Sequence, residues 1–235
     1  MTNYYSKSLS GKNLQRCYEI APPRIKKYLL EEINFVKTQI TTSSNLLELG
    51  CGYGRIFPYL HKDVAKITGI DISRENIQYG RKLQESLLNV EFIEMDVSSL
   101  KFENDMFDIV LAIQNGLSAF KVDISKLLKE CIRITKNNGK ILLSSYSDKI
   151  WDERLHWFDL HEKERLIGEI DYKKTKNGEI VCKDGFRATT FTKKDFENLT
   201  ENLEQEIIVT EVDNSSIFCI INVKKENEFS INLHK

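Results

Sequence analysis

Leu46-Leu47-Glu48-Leu49-Gly50-Cys51-Gly52-Tyr53-Gly54-Arg55 is an apolar run of strand length that passes directly into three alternating glycines and then into a helical pattern. Glycine turns the backbone sharply and lets a ligand come close to it. In an open parallel sheet, a strand, loop and helix in that order lie at the carboxyl edge, near the point where strand order reverses. The loop therefore predicts a crevice for a nucleoside-type ligand. A glycine-rich turn taken alone is only a turn, and its weight comes from the repeating pattern around it.

That pattern extends on both sides. Short β-branched or Leu-rich runs at Leu46–Leu49, Ile67–Ile70, Glu91–Met95, Ile109–Ile113 and Ile141–Ser145 alternate with helical stretches at Arg55–His61, Arg74–Leu87 and Ile124–Ile134. Five strands separated by helices predict a doubly wound parallel sheet with right-handed crossovers. A helix at Lys193–Leu203 and two strands, Glu206–Val212 and Ile217–Val223, close the chain, the last pair joined antiparallel through Asp213-Asn214-Ser215. The expected fold class is α/β, with a mostly parallel seven-stranded sheet and an antiparallel last strand. Ahead of the sheet, residues 1–40 read as two helices split by Pro22-Pro23. In the second, Ile25, Leu29, Leu30, Ile33 and Val36 form the apolar side, and Lys26, Lys27, Glu31 and Glu32 the other. After Ser145 an aromatic, charge-rich stretch leads to two turn signals, Asn177-Gly178 and Asp184-Gly185, so residues 146–192 are expected to form an inserted antiparallel cap. No repeat or flexible linker divides residues 1–235, which are expected to be a single domain.

The 235 residues are 41% hydrophobic and 29% charged with 11 Gly and 3 Pro, a globular rather than low-complexity balance. Lys and Arg total 34 against 35 Asp and Glu, so no uniform basic field exists to hold a nucleic-acid backbone, and a nucleic-acid partner is disfavoured. No window approaches the roughly 20 apolar residues of a membrane span, and the N-terminus lacks the apolar run of a secretory signal. A cytoplasmic protein with no membrane partner is expected. Five scattered cysteines without a C-x-x-C pair read as reduced, mostly buried thiols. His156 and His161 do not have the i, i+4 spacing of a helical metal pair, and no metal is expected.

Asp71, at the end of the second apolar run, lies near the same sheet edge, where a carboxylate can accept both hydroxyl hydrogens of a ribose. It is equally suited to stabilise the helix that starts beyond Ser73. Dinucleotide loops have the pattern G-x-G-x-x-G, and here the third glycine position holds Arg55. With Glu48 ahead of it, E-L-G-C-G-Y-G resembles the first motif of class I, Rossmann-like S-adenosylmethionine-dependent methyltransferases. In that family the loop lies along the amino-acid part of the cofactor.

The resemblance continues over Leu46–Ser145. Asp71-Ile72 matches the acidic end of the family's second strand, Glu94-Met95-Asp96-Val97 the third, Phe107 to Gly116 the fourth, and Lys136 to Leu143 the turn and fifth strand, with Asn137-Asn138-Gly139 where proline and two glycines are common. It implies S-adenosyl-L-methionine as cofactor, held by Glu48, Gly50, Cys51 and Gly52 of the loop, with Asp71 on the ribose, Ile72, Asp96 and Val97 around the adenine, and Gln114 near the methionine part. Asp96 is also placed to cap the turn Val97-Ser98-Ser99, and Gln114 and Asn115 to satisfy turn backbone.

The resemblance further implies methyl transfer to N or O of a small-molecule acceptor by in-line displacement. Acceptor contacts are expected from Tyr18, Asn115, Trp151, Trp157 and Arg187, and His156 is the candidate for proton handling. Tyr4, Tyr5 and Arg16 are further candidates for closing the site. No catalytic base is assigned, and the oligomeric state is open. The competing readings are an NAD(P)-dependent oxidoreductase, against which Arg55 and the antiparallel terminal pair argue, and a methyltransferase-like binding protein without turnover.

Overall fold

In the computed structural model, residues 9–225 are described. Two helices, α1 (Gly11–Glu19) and α2 (Pro23–Lys37), precede the sheet, with Pro23 opening the second at a position where a missing N–H costs nothing. Then follow β1 (Asn45–Leu49), α3 (Phe57–Leu60), β2 (Lys66–Asp71), α4 (Arg74–Leu83), β3 (Val90–Glu94), β4 (Phe107–Ala112), α5 (Gly116–Ala119), α6 (Ile124–Ile134) and β5 (Thr135–Tyr146). A 3-10 turn (Asp148–Ile150) leads into α7 (Trp151–Lys163), the two-residue strands β6 (Ile180–Val181) and β7 (Arg187–Ala188), α8 (Lys193–Thr200), β8 (Glu206–Val212) and β9 (Ser216–Asn222).

The seven-stranded sheet has the order β3-β2-β1-β4-β5-β9-β8, with only β9 antiparallel to its neighbours. Strand order reverses between β1 and β4. Successive residues face opposite sides, and both sides are buried. Leu47, Val110, Ile141, Leu143 and Cys219 pack under α6 through Leu127, Leu128 and Cys131. Leu46, Ile109, Leu111, Leu142 and Phe218 pack under α2 and α3 through Ile33, Val36, Phe57 and Leu60.

The expected sheet is thus present, and several boundaries move for local reasons. Helix α4 stops at Leu83, not Leu87, because Gln84 turns inward and donates Nε2 to the carbonyls of Tyr53 (2.8 Å) and Gly54 (2.6 Å). The stretch expected as a helix from Arg55 to His61 keeps only one turn, Phe57–Leu60. Strand β5 starts at Thr135, because Asn138 at φ 64° absorbs the expected turn within the strand.

The cap needs a larger correction. Its β content is only the β6 and β7 pair, and its main element is the 13-residue helix α7. The cap has its own apolar cluster, in which Trp157, Phe158, Ile170, Ile180 and Phe186 pack with Cys17, Ile25 and Tyr28 of the lead-in helices. Glu32, expected on the polar side of α2, is fully buried, because it lies one turn beyond Tyr28 and Leu29 on the apolar side.

Candidate active site

A cavity of about 370 Å³ opens at the carboxyl ends of β1, β2 and β4, between the sheet, α1 and the cap. The glycine loop forms its floor. Gly50, Gly52 and Gly54 lie at φ 66°, 56° and 72°, in the left-handed region that other residues avoid. A Cβ at Gly50 would stand 2.7 Å from the Phe120 ring, and one at Gly52 2.8 Å from Leu14, so only bare backbone fits beneath the crevice.

Asp71 ties this floor to the next helix. Its Oδ2 accepts from Gly52 N (2.9 Å), and its Oδ1 from Ser73 N (2.8 Å) and Asn76 Nδ2 (3.2 Å). Asp71 therefore supports the start of α4, as one of its two readings expects, and also lines the cavity. Burial pushes its carboxyl up, against the three hydrogen bonds. Asp96 accepts from Ser98 N (2.8 Å) in the turn expected of it and also lines the cavity, as do Ile72 and Val97. Gln114, at φ 57°, donates its backbone N–H to Ser144 Oγ (2.7 Å) and lines the cavity with Cys51.

Glu48 ends β1 as a buried carboxyl whose Oε2 has no partner among the described residues. Burial pushes it from 4.5 up to about 8; Arg55 lowers it and Asp71 raises it, each by less. The expected sulfonium nucleoside fits this set of donors and acceptors. An orphaned acid faces the cavity for an ammonium, a Cβ-free loop lies beside it, and Asp71 and Asp96 stand on successive strand ends for polar hydrogens.

Helix α1 covers the crevice. Ser10 Oγ donates to Glu75 Oε2 (2.5 Å), Gly11 N to Asn76 Oδ1 (2.8 Å), and Tyr79 OH to Gln15. On the other side, Trp157 Nε1 donates to the Cys17 carbonyl (2.8 Å).

The acceptor side differs more from expectation. Tyr18, Trp157 and Asn115 line the cavity, but Asn115 is fully engaged: Nδ2 donates to Thr189 O and Ser118 Oγ, and Oδ1 accepts from Ser145 Oγ, each at 2.7 Å. Arg187 is exposed and pairs with Glu179 at 3.0 Å, Trp151 is not part of the lining, and His156 is exposed outside the cavity. Helical phase explains these misses: His156 follows the buried Arg154 by two residues, on the opposite side of α7. Arg16 pairs with Glu164 at 2.9 Å on the surface, and Tyr4 and Tyr5 lie outside the described residues.

Tyr146 and Phe158, aromatic candidates for the pocket wall, line the cavity, whereas the sequence reading missed Arg55, His161 and Phe186, which line it too. His161 is buried one turn beyond Trp157 and Phe158, and burial pushes it from 6.5 down to about 4, so it is neutral at neutral pH. Behind the wall, Glu32 Oε1 accepts from Ser144 Oγ (2.6 Å) and Ser216 Oγ (2.5 Å). No grouping of His, Cys, Asp and Glu able to hold a metal occurs among the described residues. No helix among them is long and apolar enough to cross a membrane.

Comparison with known proteins agrees with this geometry. Residues 46–139 match the family described as "Methyltransferase domain". A 2-methyl-6-phytyl-1,4-hydroquinone methyltransferase of Synechocystis sp. is 25% identical over 137 residues, 54% of this chain and 42% of that protein. A ubiquinone biosynthesis O-methyltransferase of Coxiella burnetii is 27% identical over 115 residues, 48% of each chain. The chain thus spans under half the length of these curated relatives. Among solved structures, the PH0226 protein from Pyrococcus horikoshii aligns with a TM-score of 0.64 at 23% identity, covering 95% of this chain and all of that one. A SAM-dependent methyltransferase from Methanosarcina mazei aligns at 0.58 and 22% identity, covering 81% of this chain and 98% of that one. The matched segment runs from β1 into β5, across the glycine loop and the acids at the ends of β2 and β3, so this part of the chain is similar to a methyltransferase domain and the whole sheet shares its fold with the solved structures above.

Proposed function

We propose that the protein is an S-adenosyl-L-methionine-dependent methyltransferase that methylates N or O of a small-molecule acceptor in the cytoplasm. The observation that carries the reading is the Glu48 carboxyl, buried and unpaired beside a Cβ-free loop, with Asp71 and Asp96 on the neighbouring strand ends lining the same cavity. Five free, buried cysteines agree with a reducing compartment.

When bound, S-adenosyl-L-methionine supplies a methyl group on a sulfonium, which an in-line nucleophile displaces. Glu48 would take the ammonium, Asp71 the ribose hydroxyls, Asp96 with Ile72 and Val97 the adenine, and Gln114 the methionine part. Tyr18, Tyr146, Trp157 and Phe158 surround the remaining space and exclude water from an acceptor. Holding two reactants in line is itself a large part of such catalysis. His161 Nε2 faces the Cys17 carbonyl at 3.4 Å, which leaves Nδ1 with a lone pair able to accept a hydrogen bond from an acceptor N–H or O–H.

Isothermal titration at pH 7 with S-adenosylmethionine, S-adenosylhomocysteine and NADH tests the cofactor, with micromolar binding of the first two expected. No binding of either at about 1 mM, where even weak complexes register, would overturn the reading. Transfer of a tritiated methyl group to a panel of phenols, acids and amines then tests turnover.

A further inference from the structure

We infer that Arg55 is the specificity-determining residue of the acceptor chamber, and that the acceptor is a small, flat, apolar molecule carrying a carboxylate. This rests on the methyltransferase reading above and adds the substrate class. Arg55 follows the last glycine of the loop, and its guanidinium stands over the Tyr18 ring, 4.9 Å from the centroid. Its Nε and Nη2 atoms are buried, lie on a cavity-lining residue and have no hydrogen-bond partner among the described residues. These two nitrogens form one edge of the guanidinium, the edge whose parallel N–H bonds match the two oxygens of a carboxylate. A half-buried guanidinium whose Nε–Nη2 edge is buried and unpaired is costly, and a ligand carboxylate on that edge reduces the cost.

The surroundings indicate whose carboxylate it is. The charge of Arg55 is felt by Tyr18 and Tyr146 of the chamber and by Tyr28 and Glu32 behind it. These four lie on the lead-in helices or β5, and Glu48 and Tyr53 of the loop region feel the same charge, so the guanidinium stands between the loop and the aromatic chamber. The aromatic walls do not amount to a cage for a cation. Arg55 lies over Tyr18, and Arg154, anchored to the Gly178 and Ala188 carbonyls at 2.7 and 3.0 Å, lies 4.4 Å from the Tyr146 centroid and 5.5 Å from that of Phe158. Two guanidinium groups already lie against the rings, and the one titratable histidine of the lining is neutral, so the charge held against the aromatic rings favours an anion there over a further cation.

The test uses the full chain saturated with S-adenosylhomocysteine, which occupies the cofactor crevice with its own carboxylate. Benzoate, cinnamate and indole-3-carboxylate are titrated in beside their amides, with binding read by saturation-transfer NMR and calorimetry. At least one carboxylate is expected to bind roughly tenfold or more tighter than its amide, as a desolvated bidentate pair requires. In Arg55→Gln that preference disappears while S-adenosylhomocysteine still binds, weakened by less than about tenfold through the lost influence of Arg55 on Glu48, and Arg55→Lys, with charge but no fork, falls between. Equal binding of acids and amides by the wild type, or no binding of any acid, overturns the inference. A preference that persists in Arg55→Gln also overturns it, and so does an Arg55→Gln chain with native circular dichroism that loses S-adenosylhomocysteine roughly tenfold, which would give the fork to the cofactor's carboxylate. Failure of the wild type to bind S-adenosylhomocysteine at all would instead remove the methyltransferase reading.

Discussion

Replacing Glu48 with glutamine separates two properties that the carboxyl combines. In the folded chain its pKa moves from 4.5 to about 8, chiefly through burial. Such an acid holds its proton more tightly folded than unfolded. Stability is therefore greatest below the unfolded value and falls as pH rises through the interval between 4.5 and about 8. One pKa unit corresponds to about 1.4 kcal/mol, so ionising Glu48 opposes folding by at most about 5 kcal/mol, and by about 2–4 kcal/mol once local relaxation softens the burial. Glutamine keeps the shape and cannot ionise. Calorimetry or scanning fluorimetry from pH 5 to 8.5 should show Glu48→Gln melting above the wild type at pH 8, by roughly 5–10 °C for a chain of this size, and converging with it near pH 5. Ligand binding moves the other way. Glu48→Gln lacks the charged partner for an ammonium and should bind S-adenosylmethionine roughly tenfold to a hundredfold more weakly. Wild-type binding at pH 7 should release about one proton, measured by titration calorimetry in buffers of different ionisation heat, and binding to the variant should release none. Coincident melting curves at pH 8, or undiminished proton release from the variant, would refute the argument.

Asp71→Ala removes an acceptor shared by Gly52, Ser73 and Asn76, and should cost about 1.5–3 kcal/mol of stability and weaken cofactor binding at least roughly tenfold; an unchanged dissociation constant in a folded variant would take Asp71 out of the site. Asn115→Ala leaves a non-glycine residue at φ 61° and breaks bonds to Ser118, Ser145 and Thr189, so a loss of about 2–4 kcal/mol is expected in denaturant unfolding. His156→Ala, on the exposed side of α7, should leave melting temperature and methyl transfer as they are; a substantial loss of turnover with intact folding would return His156 to the reaction.

The sheet, and the loop and acids gathered at its carboxyl edge, were legible because both depend on local pattern. The near-continuous apolar runs Leu46–Leu49 and Ile109–Ile113 give strands buried on both faces, and parallel pairing then sets Glu48, Asp71 and Asp96 at one edge. The cap side of the cavity was only partly legible: its aromatics Tyr18, Tyr146, Trp157 and Phe158 were readable, but Arg55 and His161 break the apolar pattern. In α7 the buried positions are Arg154, Trp157, Phe158 and His161, at helical spacing but with two of the four polar, so no apolar stripe marks the helix. Arg154 is acceptable there because Gly178 and Ala188, distant in sequence, offer carbonyls and Tyr146 and Phe158 offer ring faces. Glu32 is masked in the same way, as an acid on an apolar side whose partners, Ser144 and Ser216, come from β5 and β9. Arg55 registered in the sequence only as a departure from glycine, and the burial of its fork emerges once α1 lies over the loop.

The two halves also rest on different foundations. The glycine loop and the acids are fixed by strands sandwiched between two apolar layers, whereas Trp157, Phe158 and Phe186 belong to a separate cluster formed by the cap and the lead-in helices. A substitution in that cluster reshapes the acceptor's compartment while leaving strand register intact. Under the proposed function, changes in the peripheral segments would therefore alter which acceptor fits while leaving the grip on the methyl donor to the sheet.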